Sequence, residues 1–305
     1  MTTLYRMHLK TGVKTLELRQ RLIETCLDQQ FLAIGWSYLY EKYTIQSIDD
    51  LCKKEKKETG KLPSALKIFK NIEVNDLIWT RDLNGNGYLC RVKDKAKTVS
   101  VPQLDIGCIL PVEIYLIGTN LPGRVISSFI PSKAIQRICD DKILYYSQLL
   151  YNMKSGSNTY SRKKMELDLF GILHPLDVEE LVCCYVQIKY DVFLSKNSVA
   201  KQDTTIKIEG EFFPRCKNQC SFDSIVLQVK TGSSYVPVSE YRSFVAQNKV
   251  VVLFFECEIY DEDIKGIDCL TKKELLNFAY ENEDILPLVL RNAIKMCRTK
   301  SGPVL

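Results

Sequence analysis

Gln228 and Lys230 stand two residues apart in the stretch "FDSIVLQVKTG" (222–232). The run Ser224 to Val229 is short, apolar and rich in β-branched residues, which predicts a core strand. Side chains two apart on a strand point to one face, so an amide and an ammonium would lie side by side near its end. The earlier run "TTIKIEGEFF" (204–213) predicts a partner strand, joined to the first by "PRCKNQCSFD". A hairpin centred between Asn218 and Gln219 sets Glu209 opposite Gln228. Glu179, in a predicted helix upstream, is a third acceptor able to converge there. Two carboxylates and an amide oxygen are hard donors suited to Mg²⁺ or Mn²⁺. An ion of that kind polarises a phosphodiester and activates a water, while Lys230 positions the water or offsets charge on phosphorus. Glu211, on the same face as Glu209 but one pair further along, and Asp223, at the start of the Gln228 strand, are alternatives for the second acid.

The elements that must hold these residues read as follows. "PLDVEELVCCYVQIKYD" (175–191) predicts a helix with acidic residues in its first turn, where the helix dipole favours them. Strands are predicted at 204–213 and 224–230, a helix at 238–247, and a buried strand at 249–259. One or two helices close the chain over 271–296. This α-β-β-α-β order describes a mixed sheet flanked by helices. The first half predicts a helix at 15–30, a strand at 31–39, a short helix at 62–72 and a hairpin at 76–92. A strand pair or one broken strand follows at 107–118. Several short strands around one small core suggest a compact barrel. "DLNGNG" (82–87) matches the start of a Ca²⁺ loop, but its twelfth position is Lys93 rather than Glu, so it predicts a hairpin turn. The polar stretch 151–164, "YNMKSGSNTYSRKK", is the candidate linker between a domain at 1–150 and another at 165–305.

The 305 residues suffice for two domains. Residues 1–160 carry 23 Lys and Arg against 16 Asp and Glu, a balance that suits a polyanionic partner. No apolar run approaches a membrane span, and the start "MTTLYRMHLKTG" holds no apolar leader. With 12 scattered cysteines this predicts a cytoplasmic protein with free thiols and no membrane partner. C-x2-C pairs are absent, which argues against zinc.

An acid in a helix, an acid on a strand and then (E/Q)-x-K on the next strand resemble the PD-(D/E)xK nucleases. "DVEELV", "KIEGEFF" and "LQVKTG" resemble the Mrr-like, Gln-containing branch of the restriction endonucleases over about 165–260. Glu stands where that branch usually has Asp, and the Gly-rich lead-in is missing. The resemblance implies catalysis by Glu179, Glu209, Gln228 and Lys230, with the first three holding Mg²⁺. "FLAIGW", "IEVNDLIWTRDLNGNGYLCRV" and "DIGCILPVEIYLIG" are similar to a PUA/SH3-like module found ahead of such nuclease domains. "CILPVEIY" lacks the Arg and Trp common there. The expected whole is an α+β, two-domain DNA endonuclease of phage defence. Its barrel would sense double-stranded DNA, modified DNA included, through Trp36, Asp82, Tyr88 and Arg91, with Trp79 and Arg81 also considered and Trp36 and Trp79 equally readable as core. Enzymes of this type commonly act as homodimers. The alternatives are an inactive reader on a nuclease scaffold and an RNA-directed nuclease.

Overall fold

A computed structural model describes residues 2–160, 168–197, 208–216 and 220–298. The chain is an α+β protein that divides into two compact units, residues 1–165 and 166–305.

The first unit contains β1 (Leu4–Met7), β2 (Phe31–Ile34), β3 (Leu77–Arg81), β4 (Gly87–Val92), β5 (Lys97–Val101), β6 (Ile106–Gly118) and β7 (Ile135–Arg137). Its sheet runs β2-β6-β4-β3-β1-β7, with β5 also on β6. The 107–118 segment is one long strand. Its first part pairs with β2 and β5 and its second with β4, so the sheet folds over into a half-barrel. Met7, Leu32, Ile34, Ile78, Cys90, Val92, Cys108 and Leu110 fill the inner side. Around them lie α1 (Leu16–Asp28), α2 (Leu39–Lys42), α3 (Ile48–Thr59), α4 (Ser64–Lys70), α5 (Gly123–Ser128) and α6 (Asp141–Ser155). The Thr15 hydroxyl caps α1 by accepting from Leu18 N at 3.2 Å.

Two expectations for this unit change. The strand expected over 31–39 stops at Ile34, because the chain turns around Asp105. That carboxylate accepts from Gly12 N (2.6 Å), Ser37 N (3.0 Å) and Ser37 Oγ (2.7 Å). Trp36 takes a left-handed φ of 74° in the turn. A Cβ on Gly107 would come within 2.4 Å of Gly35 O, so only glycine lets the two backbones approach. The expected linker 151–164 is not a free connector over its first ten residues. Tyr151 and Asn152 complete α6 and are buried, and the Asn152 amide exchanges hydrogen bonds with Tyr160 O and N at 2.9 and 3.2 Å. The Tyr160 hydroxyl donates to Asn75 O at 2.8 Å. The polar side chains that suggested a linker are satisfied inside the unit. The stretch 161–164 lies outside the described residues.

The second unit contains α7 (Leu169–Ile172), α8 (Pro175–Lys189), β8 (Val192–Asn197), β9 (Gly210–Pro214), β10 (Ser224–Lys230), α9 (Arg242–Val245), β11 (Lys249–Phe255), β12 (Ile267–Leu270), α10 (Lys272–Glu281) and α11 (Leu288–Arg298). The sheet order is β12-β11-β10-β9-β8, with β10, β11 and β12 parallel and the β8–β9–β10 pairs antiparallel. Ile225, Leu227, Val229, Val252 and Phe254 face a core shared with α8, α10 and α11. Val226, Val251, Leu253 and Phe255 face the other side, against Val238 and Tyr241. The helix expected over 238–247 is a 3₁₀ turn (Val238–Tyr241) running into the single turn of α9. A three-residue spacing aligns Val238 and Tyr241 on one side of a 3₁₀ turn, and both are fully buried. β8 and β12 extend the expected sheet at its two edges. The start of the strand expected from 204 lies outside the described residues. Among those residues no helix is long and apolar enough to cross a membrane. Cys26, Cys52, Cys90 and Cys108 are buried as free thiols.

Candidate functional site

β9 and β10 pair Phe212 with Ile225, Glu211 with Val226 and Gly210 with Leu227. Continued by one step, this register sets Glu209 beside Gln228, and the Glu209 backbone N still bonds Leu227 O at 2.9 Å. Gln228 Nε2 donates to both Glu209 carboxylate oxygens at 2.7 Å, and the backbone N of Val229 donates to one of them at 3.1 Å. Gln228 is 0% exposed. Its amide oxygen accepts from the Tyr241 hydroxyl at 3.2 Å, which fixes the amide with its nitrogen toward the carboxylate. Lys230, at the end of β10, is partly exposed.

Burial raises Glu209 from 4.5 to about 7, against the lowering effects of the Val229 N–H and the Lys230 charge. Glu179 adds a further upward push to Glu209 through like charge. Burial also raises Glu179, again opposed by Lys230. The two acids and the amine are therefore one electrostatic group at the open end of the β9–β10 pair. They reach it from different sides. Gln228 belongs to the Tyr241 face, whereas Glu179 comes from α8, which packs on the opposite face. Glu209 acts on both: its charge raises the Cys183 thiol on α8 and the Tyr241 phenol.

The alternative acids lie elsewhere. Glu211 accepts from Ser224 Oγ and pairs with Lys249 Nζ, each at 2.9 Å. Asp223 is exposed at the opposite end of β10, about 20 Å from Lys230 at roughly 3.3 Å per residue. Tyr241 had no signal in the sequence, because its contact with Gln228 depends on how the 3₁₀ turn packs over the sheet.

The elevated acidity constant of Glu209 has a measurable consequence. In the unfolded chain this carboxyl titrates near 4.5, below its folded value of about 7. Its contribution to stability is complete below pH 4.5, declines between 4.5 and 7, and is lost above about 7. A shift of this size corresponds to about 2–3 kcal/mol. Metal-free Glu209→Gln protein should therefore lose less stability than wild type between pH 5 and 8 in urea titrations. Equal losses in the two proteins would contradict the assignment.

The nucleic-acid candidates of the first unit are largely engaged within it. Asp82 accepts from Asn84 N, Asn86 N, Asn86 Nδ2 and the Tyr88 hydroxyl at 2.8–3.0 Å, as a hairpin turn requires. Burial and that bond to Asp82 push the Tyr88 phenol up to about 12. Arg91 donates to Tyr151 Oη (2.6 Å), Asn75 Oδ1 (2.8 Å) and Glu113 Oε2 (2.9 Å). Tyr88 and Arg91 are three apart on β4 and so point to opposite faces of the sheet. They cannot line one base pocket. Trp36 is partly buried against the inner core. Trp79 is 0% exposed, with its indole N–H on Ser147 Oγ at 3.0 Å, and is a core residue.

Fold and site together define a two-unit α+β protein with a carboxylate–amide–amine group at the end of a mixed sheet. No family model, curated protein or solved structure matches the chain.

Proposed function

We propose that the chain is a Mg²⁺-dependent endodeoxyribonuclease of the Mrr-like PD-(D/E)xK type, acting in the cytoplasm against foreign DNA. On this reading residues 166–305 form the nuclease and the half-barrel unit is a PUA/SH3-like sensor of double-stranded DNA, including modified DNA. The observation that carries the reading is the pairing of Glu209 with Gln228 beside Lys230, coupled in charge to Glu179. The order α8-β8-β9-β10-α9-β11 agrees with it.

Among the described residues no three His, Cys, Asp or Glu side chains gather closely enough to hold a metal by themselves. The donor set here is two carboxylates and an amide, and it suits Mg²⁺ or Mn²⁺. Two half-buried acids that disfavour each other's ionisation are relieved by a dication. Turning the Gln228 amide over directs its oxygen toward Glu209, and the freed amine donates to Tyr241 Oη, which can accept. When bound, the ion supplies Lewis-acid polarisation of the phosphodiester and a more acidic water. The chain itself contributes Lys230, which orients the attacking water and offsets negative charge on the phosphorus oxygens.

The experiment is incubation of the purified protein with plasmid DNA and with RNA, with and without Mg²⁺. Metal-dependent nicking or linearisation of DNA supports the reading. RNA cleavage alone would make it an RNA-directed nuclease. A second reading, a reader that binds without cutting, is favoured by one observation: Tyr241 holds the Gln228 oxygen away from Glu209. Duplex binding without cleavage in any divalent metal would establish it.

A further inference from the structure

The first unit carries basic side chains that the site above does not use. Arg6, on β1, is 0% exposed. Its guanidinium donates to the carbonyls of Ser128, Pro131 and Lys133 and to Gln136 Oε1, all uncharged acceptors. These bonds hold the loop 128–136 against β1. Phe129 of that loop meets the His8 ring edge-on at 5.3 Å between centroids, and the Arg81 guanidinium lies over the same ring at 4.7 Å. His8 in turn contacts Pro131 O at 3.3 Å.

Arg19, on α1, belongs to the same neighbourhood. Burial, and then the charges of Arg6, Arg81 and Arg19, hold the His8 imidazole below its ordinary value. Arg19 Nε is closed off from solvent and meets no acceptor. A guanidinium drawn inward without an acceptor is costly, by roughly 1–3 kcal/mol per unsatisfied buried donor. The fold thus gathers Arg19 and Arg81 beside a third, buried arginine and a histidine. The adjoining loop stays accessible at Ile130, which is 82% exposed.

We propose that Arg19, Arg81 and His8, backed by the Phe129 loop, form a phosphate-binding site for the backbone of nucleic acid. The chemistry is that of guanidinium forks, which match phosphate oxygens in pairs, beside an imidazole N–H donor. The choice of nucleic acid over a free phosphate rests on the reading of this unit as a DNA sensor and on its surplus of 23 basic over 16 acidic residues in 1–160. The site reads no bases. It sets position along the duplex, independent of sequence.

The test uses the full chain in EDTA, so that binding is measured apart from cleavage. A fluorescent 20-base-pair duplex and inorganic phosphate are titrated separately over a range of salt concentrations. Arg19→Gln/Arg81→Gln should weaken duplex binding at least about tenfold. It should also reduce the slope of log affinity against log salt by about two, near 0.9 per phosphate contact. Lys53→Gln/Lys56→Gln, the same charge change on the exposed face of α3, should change neither quantity. If the double variant fails to fold, each single arginine variant should lower the slope by about one. Wild-type duplex affinity retained in the arginine variants overturns the proposal. So does an equal loss in the lysine variant, no duplex binding by wild type, or phosphate binding as tight as duplex binding. Cleavage in Mg²⁺ with an unaffected arginine variant would refute this site and leave the nuclease. Duplex binding lost in that variant, with no cleavage by wild type, would refute the nuclease and leave the site.

Discussion

Lys230→Ala is expected to reduce Mg²⁺-dependent plasmid cleavage by about 10²–10³-fold, the usual loss when one stabiliser of transition-state charge is removed. The side chain is partly exposed at the end of β10 and its methylene stem is not part of either core. Truncation should therefore leave the melting temperature within a few degrees of wild type. A second effect separates a local electrostatic role from a general one. Lys230 is the cation that pulls both Glu179 and Glu209 downward. Without it the Glu209 midpoint must rise above about 7. Carboxylate titration followed by NMR on wild type and variant measures this. A variant that cuts as wild type does, or whose Glu209 titrates unchanged, would remove Lys230 from the site.

Trp79→Ala should be the most destabilising change in the first unit, at about 3–5 kcal/mol. The indole is fully buried between the sheet and α6, and its N–H has a partner in Ser147 Oγ. Ser147 in turn donates to Ile143 O at 2.7 Å, so truncation opens a large cavity and leaves the serine oxygen without its donor. Trp79→Phe should cost less than half as much, because the ring volume is largely kept. Urea midpoints give both numbers. A loss below about 1 kcal/mol for the alanine variant would show that the indole is not a core residue.

The hairpin carrying the site was legible because both strands are short, strongly apolar on one side and joined by a segment of known length. Their register sets Glu209 against Gln228 as the spacing predicts. Gln228 and Lys230 were legible for the same reason, since alternation puts them on one face. The orientation of the Gln228 amide was not legible. It depends on Tyr241, thirteen residues away in a 3₁₀ turn whose packing local pattern does not encode. In the first unit the aromatic and charged residues near the hairpin suggested contacts with a base. Their partners are mostly distant in sequence, such as Glu113 and Tyr151 for Arg91. Spacing within one segment cannot reveal such partners. The basic neighbourhood of Arg6, His8, Arg19 and Arg81 was hidden likewise, because β1, α1, β3 and the 128–136 loop supply one part each. The helix at 151–155 was missed because Asn152 and the serines after it read as linker residues. The Asn152 amide is satisfied by Tyr160.

The most direct test of the account is a crystal of the full chain soaked in Mn²⁺ and measured at the manganese absorption edge. One anomalous peak is expected between Glu179 and Glu209, with carboxylate oxygens of both and the Gln228 amide oxygen about 2.0–2.3 Å away. It should vanish in Glu209→Gln. A fully soaked wild-type crystal with no peak there, or with Gln228 still turned toward Tyr241 beside a metal held elsewhere, would contradict the account.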